Sequence, residues 1–572
     1  MDKKKETSFE RVRKRRPVAG AEFAVCLIYP NRRAVGMSNL GFQKIYAAIN
    51  APNKIFCDIA FRPDEKADEK TSPASVERNM PLGDFDLLAF SITFEMDALN
   101  ILEILNRASV PLRRAERENS DPIVCAGGVA IMLNPEPLSD FIDFFVIGEG
   151  EVFVHCWLES LAESQGETRE ARLEKISSMP GIYVPSLYGV EYDEKGILKK
   201  RTANNKGAPE TIKRIYNRDY RETGTAQCID QQDDSIFKET FLLETGKGCG
   251  QGCRFCAAGF VYRHVRHVKT SVLKKQISSG LKKYKRIGLV GSAVSEHPAI
   301  NDIYDYILGL GGEVTVSSLR VEYLDKAMLR SLYECGCRSI TIAPEAGTER
   351  LRRIINKNVT DKRIIETVSL AAGAGILNIK VYFLIGLPGE TERDVTAIAE
   401  LVKKMRDALV ENSKPFGRAG RINVSVNPFV PKPHTPFQWE CFGTMRELKK
   451  NFKILRRSLG GEQNVKLKTG SVKNFSVQAL LSVGTRRVGG MLLDALRGKS
   501  WSDILRMPEA ISVYARRKDK DEVLPWDFID NTVTKKYLWK EYENSRVEKT
   551  TLPCPAPRTG CRRCGIFEGI CT

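Results

Sequence analysis

A chain of 572 residues is too long for one ordinary core, and the length implies three or four domains. Its 42% hydrophobic residues support globular folding, no run approaches the roughly eighteen apolar residues of a membrane span, and residues 1–20 lack the apolar core of an export signal, so a cytoplasmic protein is expected. The net charge of +18 is localised: residues 441–520 carry 18 Lys or Arg against 6 Asp or Glu, and residues 1–20 carry 8 against 3, which draws anionic partners such as RNA, phosphorylated substrates or acidic proteins without choosing among them.

In chain order, residues 1–20 form a basic tail that reads as a solvated arm. Phe23 to Tyr29 is an apolar, partly β-branched run expected to be a buried strand, followed by the turn residues Pro30, Asn31 and Gly36 and a helix from Gly41 to Ile49. Phe85 to Ile92 precedes the helical pattern Ala98 to Arg107. Pro122 to Ala126 ends in Gly127 and Gly128, and Phe141 to Ile147 ends in Gly148, Glu149 and Gly150. Short apolar strands alternating with helices predict an α/β domain over 21–180, a Rossmann-like doubly wound parallel sheet with ligands at the carboxyl ends of its strands. Residues 181–236 read as a bridging region with a short strand at Gly181 to Val184.

The alternation resumes over 237–440. Strands are expected at Thr240–Glu244, Arg286–Val290, Glu313–Ser318, Ser339–Ala343, Ile379–Ile385 and Ile422–Val426, with helices such as Leu273–Tyr284, Ile300–Leu310 and Val395–Leu409 between them. Six such units predict a partial or complete (β/α) barrel, whose chemistry sits at the carboxyl ends of the strands. A smaller basic C-terminal region follows over 441–550, with helical patterns at Met445–Ser458 and Ser476–Leu481, and then a cysteine-rich tail over 551–572.

Seven of the 15 cysteines form two clusters, which in a reducing compartment point to metal rather than disulfides. Cys249, Cys253 and Cys256 have the spacing C-x3-C-x2-C directly after the first barrel strand, on a loop that Gly248, Gly250 and Gly252 let wrap tightly. Three thiolates on a four-iron cube leave one iron open for a ligand. The alternative is a structural zinc completed by His264 or His267. Cys554, Cys561, Cys564 and Cys571 have the spacing C-x6-C-x2-C-x6-C among Arg558, Arg562 and Arg563, which suits zinc or an auxiliary iron-sulfur cluster, against the alternative of a reduced, frayed tail. Lone histidines such as His297 and His434 read as ordinary polar residues.

The cysteine triplet, Phe255 before its last member, and the six strand-helix units resemble the radical SAM superfamily. The resemblance implies a [4Fe-4S] cluster whose open iron is chelated by S-adenosylmethionine (SAM), reductive cleavage to a 5′-deoxyadenosyl radical, and an electron donor such as flavodoxin or ferredoxin. It further implies SAM contacts from Phe255, from Gly291 and Ser292 after the second barrel strand, from Ser318 and Arg320 after the third, from Glu345 at the end of the fourth and from Ile385, Gly386 and Leu387 after the fifth. The family's Gly-Gly-Glu is absent at Gly291. As structural alternatives, Glu345 caps the next helix, and Gly386 with Gly389 makes a loop turn.

Ser91-Ile92-Thr93, the stretch from Gly127-Gly128 to Asn134-Pro135-Glu136-Pro137, and Ile147-Gly148-Glu149-Gly150-Glu151 resemble the cobalamin-binding-like domain that precedes many radical SAM barrels. Asn427 to Phe437, rich in proline, resembles a loop of the same subgroup. The D-x-H-x-x-G loop that ligates cobalt is missing, and no histidine precedes His155, so any cobalamin here lacks a histidine ligand; a Rossmann-like domain without a corrin is the alternative. The expected reaction is cobalamin-dependent methyl transfer to an unactivated carbon of an unknown substrate. The alternatives are a cobalamin-free radical SAM enzyme that modifies RNA, as in methylthiolation, and a non-catalytic metal- and RNA-binding or assembly protein.

Overall fold

The computed structural model describes residues 23–51, 55–63, 72–205, 207–229, 235–554 and 564; the basic tail, Cys561 and Cys571 lie outside the described residues. The N-terminal sheet contains β1 (Phe23–Tyr29), β2 (Ile55–Phe61), β3 (Leu87–Ser91), β4 (Ile123–Gly127), β5 (Phe144–Val146) and β6 (Ile182–Tyr183), in the order β2-β1-β3-β4-β5-β6. All pairs are parallel except β5 with β6. Alternate faces of the pleat feed two cores. Val25, Leu27 and Phe144 face one, while Cys26, Ile28 and Phe145 face a second that continues through the rest of the molecule.

Strand β2 has no counterpart in the sequence reading because Asp58 interrupts its apolar run. The carboxylate is fully buried and satisfied locally, accepting the backbone N–H groups of Ile59 at 2.7 Å, Glu77 at 3.1 Å and Arg78 at 3.0 Å. A polar residue whose hydrogen bonds close at home does not end a strand.

The bridging region forms a hairpin of β7 (Tyr188–Tyr192) and β8 (Leu198–Ala203), then β9 (Ile212–Lys213) and β10 (Thr225–Ala226). The barrel follows with β11 (Thr240–Lys247), β12 (Arg266–His267), β13 (Arg286–Gly291), β14 (Glu313–Val316), β15 (Ser339–Glu345), β16 (Asn378–Ile385), β17 (Arg421–Pro428) and β18 (Val465–Thr469). Strands β11, β13 and β14 are parallel neighbours, as are β15 to β18, and a single bridge from Leu319 to Ile342 joins the two sets. Among the described residues no ladder joins β18 back to β11, so the barrel is partial.

The sequence reading places its six strands on β11 and β13 to β17 and leaves β18 unassigned. Its Val-Lys-Leu-Lys-Thr exposes Lys466 and Lys468 and half-buries Val465 and Leu467, the lysine-studded alternation by which edge strands resist further pairing. A last short strand, β19 (Ile529–Asp530), returns to pair with β9 and ties the C-terminal region to the bridge. No helix among the described residues is long and apolar enough to cross a membrane.

Candidate active site

Strand β11 delivers Lys247 and then Gly248, whose φ of 83° and whose missing side chain are both required: a Cβ there would stand 2.3 Å from the Tyr262 carbonyl. Cys249 and Cys253 are buried and Cys256 is half-buried, with the Cys256 N–H donating to the Cys253 carbonyl at 3.0 Å. The loop is held from outside itself. Asn356 Nδ2 donates to the Gly252 carbonyl at 3.0 Å, and the Arg254 N–H donates to the Ile355 carbonyl at 3.0 Å. The fully buried guanidinium of Arg254 donates to the carbonyls of Ile354 at 2.7 Å and Lys549 at 2.6 Å and pairs with Glu541 at 3.1 Å.

Burial, Glu296 and the neighbouring thiols push Cys249 up to about 12, and burial also raises Cys256. These sulfurs become thiolates only against a positively charged core. Among the described residues no three His, Cys, Asp or Glu side chains converge closely enough to hold a single ion. A four-iron cube asks each thiolate to bind a different iron, and the pinned glycine loop offers it three thiols, two buried and one half-buried. The His297 ring nitrogen bonds the Val268 carbonyl at 2.9 Å, and His434 is buried and held down to about 3 by desolvation.

Several of the residues singled out by sequence meet at the thiols. Arg320 pairs with Glu296 at 3.2 Å and Glu322 at 2.6 Å; burial alone would lower its pKa, but Cys253, Glu322, Cys249 and Glu296 leave it raised. Glu345 ends β15 with φ 69°, lies 3.6 Å from Lys357, and is raised by burial against the pull of Lys357 and Arg320. It also contributes to the raised Cys256. Gly291 ends β13 and its carbonyl accepts from Ser317 Oγ at 3.1 Å. Ser292 and Ser318 are exposed, and Phe255 is half-buried against the core. Ile385 ends β16, Leu387 is buried, and Gly386 at φ 76° donates its N–H to Glu390 Oε1 at 2.8 Å, where burial pushes the carboxyl up to about 7.

Sequence reasoning missed Glu296, Glu390 and the anchoring role of Arg254. Glu296 is the carboxylate that follows β13 in the loop where the family's glutamate was sought; Gln251 of the cysteine loop donates to it at 3.3 Å, and burial raises it against Arg320. The signal was a Glu displaced by a few residues. Arg254 carried none, because its partners lie about a hundred and nearly three hundred residues away.

A cavity of about 280 Å³ opens at the carboxyl ends of β1, β3, β4 and β5. Leu27, Ala89 and Val146 line it together with Ser91, Thr93 and the glycines of the Gly127-Gly128 and Gly148-Glu149-Gly150 turns, and its far wall is Lys247 and Tyr262, which flank the cysteine loop. Trp157, also in the lining, keeps a buried indole N–H with no partner among the described residues.

The charged members of these motifs hold the domains together. Glu149 pairs with Arg266 and lies 4.0 Å from Lys247, while Glu151 meets Lys247 at 3.3 Å and Lys44 at 3.5 Å. Burial would raise Glu149, but Lys247 and Arg266 hold it down to about 2. Asn134 donates to the carbonyls of Ser482 at 3.1 Å and Gly484 at 2.8 Å, Glu136 accepts from Arg486 at 2.9 Å, and Lys432 of the proline-rich loop pairs with Glu95. In the C-terminal tail, the Cys554 N–H donates to the Gly250 carbonyl at 2.7 Å, and buried Cys564 accepts from the Thr534 N–H at 3.1 Å. Both sulfurs contribute to the raised pKa of Arg263.

Comparison with known proteins matches residues 41–185 to the family of radical SAM proteins, N-terminal, and residues 243–402 to the radical SAM superfamily. An uncharacterized protein of Methanocaldococcus jannaschii is 26% identical over 470 residues, covering 82% of this chain and 90% of that protein. An uncharacterized methyltransferase of Pyrococcus horikoshii is 23% identical over 302 residues, covering 51% of this chain and 60% of that protein. The radical S-adenosylmethionine methyltransferase TsrM from Kitasatospora setae, solved with cobalamin and a [4Fe-4S] cluster bound, aligns with a TM-score of 0.48 at 14% identity, covering 83% of this chain and 99% of that one.

Proposed function

The chain belongs to the radical SAM superfamily and is a radical SAM enzyme, and from that premise we propose that it transfers a methyl group through cobalamin to an unactivated carbon. In this reading Cys249, Cys253 and Cys256 would hold a [4Fe-4S] cluster through their three thiolates, and SAM would bind beside them. A [4Fe-4S] cluster held there would supply the one-electron reduction that cleaves SAM, with the electron coming from a donor such as flavodoxin or ferredoxin.

The chain's own residues orient and shield that chemistry. Arg320 offers its cation to the SAM carboxylate, and Glu296, held beside it by Gln251, offers an anion to the ammonium. Glu345 with Lys357 is placed for the ribose hydroxyls. Glu390 fixes the Gly386 turn so that Ile385 and Leu387 present an apolar edge to the adenine. Pinning by Arg254 and Asn356 leaves the loop no need to reorganise around the cofactor, which is how a protein contributes to cofactor chemistry.

One observation carries the cobalamin step: the cavity at the sheet's carboxyl edge is lined in part by Glu244 and Lys247 of the strand that leads into the cysteine loop. Its lining offers a corrinoid an apolar surface and the unpartnered Trp157 N–H, and no histidine is among the lining residues. The Pyrococcus relative, an uncharacterized methyltransferase, agrees with methyl transfer. Reconstituted protein loaded with hydroxocobalamin should retain the corrin through gel filtration with a base-off spectrum, and should form 5′-deoxyadenosine under reductant. Loss of the corrin with SAM cleavage intact would turn the reading to cobalamin-free RNA modification, which the basic groove described next favours. Loss of both would turn it to a non-catalytic binding protein.

A further inference from the structure

A groove of about 1050 Å³ lies in the C-terminal region between the helix Met445–Leu459, the turn after β18, and the segment 502–514. Six cations line it: Lys449, Lys453, Arg456, Arg457, Lys473 and Arg506, all exposed. No Asp or Glu is among the lining residues. Arg506 pairs with Asp503 at 3.1 Å, and Arg456 donates to Thr469 Oγ1 at 2.7 Å, but among the described residues none of the other four has a carboxylate partner. Elsewhere on the same helix Lys450 does find one, Glu392 at 2.6 Å, so the groove face is selectively left uncompensated.

Like charges gathered in a hollow repel one another, and a fold tolerates that where a polyanion answers them. Along the helix, Lys449, Lys453 and Arg456–Arg457 form a stripe with successive cations about 6 Å apart, close to the repeat of phosphates along an extended polynucleotide strand. The opposite wall adds Lys473 in the first turn of the helix Val472–Ser482, whose positive dipole end favours phosphate oxygens. Arginine forks match the same oxygens. A small phosphorylated metabolite would answer two or three of these cations and leave the rest facing each other.

Position gives the groove a use. Gly470 follows β18, and its N–H donates to the Val426 carbonyl near the carboxyl end of β17 at 2.9 Å. On the other wall, a Cβ at Gly386 would stand 2.9 Å from Leu448 Cδ2 of the groove helix. The groove therefore opens on the same end of the barrel as the cysteine loop.

We infer that this groove binds the phosphodiester backbone of a single polynucleotide strand and presents it to the barrel mouth. Binding stands on the groove alone; that the strand is presented for reaction rests on the proposed activity. The test is fluorescence anisotropy of full-length, anaerobically reconstituted protein with a labelled single-stranded RNA of about 20 nucleotides and a DNA of the same sequence, from 50 to 300 mM KCl. Each phosphate contact contributes about 0.7 to the slope of log affinity against log salt. The variant Lys449→Gln/Lys453→Gln/Lys473→Gln should therefore flatten the slope by about 2 and weaken binding at least tenfold at 100 mM salt. A control, Lys199→Gln/Lys200→Gln/Lys326→Gln, removes the same charge from surfaces outside the groove and should bind as the parent does. A preference between the RNA and DNA arms reports on the 2′-hydroxyl, and either preference supports a backbone site. Equal weakening of the two variants, no binding by the parent, or displacement of the strand by pyrophosphate or poly-glutamate at equal charge would overturn the inference. SAM cleavage by the same preparations is measured in parallel, so a failed groove and a failed barrel reading are told apart.

Discussion

The guanidinium of Arg266, on the short strand that closes the cysteine loop, pairs with the carboxylate of Glu149, at the end of the N-terminal sheet, with both side chains at most 3% exposed. The pair fixes one domain's cavity against the other domain's thiols. Removing one partner strands a buried charge, so Arg266→Met should destabilise the protein by about 3 to 5 kcal/mol, read by denaturant unfolding. Glu149→Leu added to it should cost less than the sum of the single changes. Since Glu149 is depressed to about 2 when folded, its stabilisation is full above the ordinary glutamate range near pH 4.5 and is lost as pH falls toward 2. An Arg266→Met variant that unfolds at the parent's midpoint would remove the pair from the interface.

Cys253→Ala should abolish both the cluster absorbance and 5′-deoxyadenosine formation. Iron analysis and chromatography of quenched reactions check it, and persistent SAM cleavage in this variant would remove the triplet from the chemistry.

Glu296→Gln keeps the shape and the Gln251 contact but loses the anion. SAM should bind about 10- to 100-fold more weakly by equilibrium dialysis, the loss of one charge-assisted hydrogen bond. Iron content should not change. Unaltered SAM affinity would leave Glu296 as a support for Arg320 alone.

Ala89→Phe places a ring in the cavity at the sheet's carboxyl edge, where Ala89 is buried and in the lining. Cobalamin retention on gel filtration should fall at least tenfold while iron content and SAM cleavage hold. Full retention would place the corrin elsewhere.

For the tail, a chain ending at Pro553 removes all four terminal cysteines and the Cys554–Gly250 hydrogen bond. Metal analysis after equal reconstitution should show the parent holding either iron beyond one [4Fe-4S] cluster or one zinc, and the truncated chain lacking only that excess. Identical metal content would make the tail a structural strap.

What was legible in the sequence was what repeats or clusters locally. Strands β11 and β13 to β17 announced themselves by apolar runs, and the thiols by spacing. Strand β2 escaped because Asp58 is satisfied by backbone N–H groups some twenty residues ahead, and β18 because an edge strand wears lysines. At the site, Arg320 and Glu345 fall beside the thiols, whereas Ser292 and Ser318 are left exposed. The acidic motif around Glu149 was read toward a ligand, and its carboxylates are spent on Arg266, Lys247 and Lys44. Charge pairing between domains has no periodicity and leaves no mark in a single chain.

Arg254 sets an order of events in the making of the protein. It lies between two of the cysteines, yet the carbonyls and carboxylate that fix it belong to Ile354, Glu541 and Lys549. On the ribosome the three thiols emerge long before those partners do. The nascent loop therefore gains its anchors in two stages, from Ile354, Ile355 and Asn356 about a hundred residues after the thiols and from Glu541 and Lys549 much later. Iron and sulfide delivered before Glu541 and Lys549 emerge meet a loop held only by its contacts to 354–356; delivered afterwards, they meet a loop held by both sets of contacts.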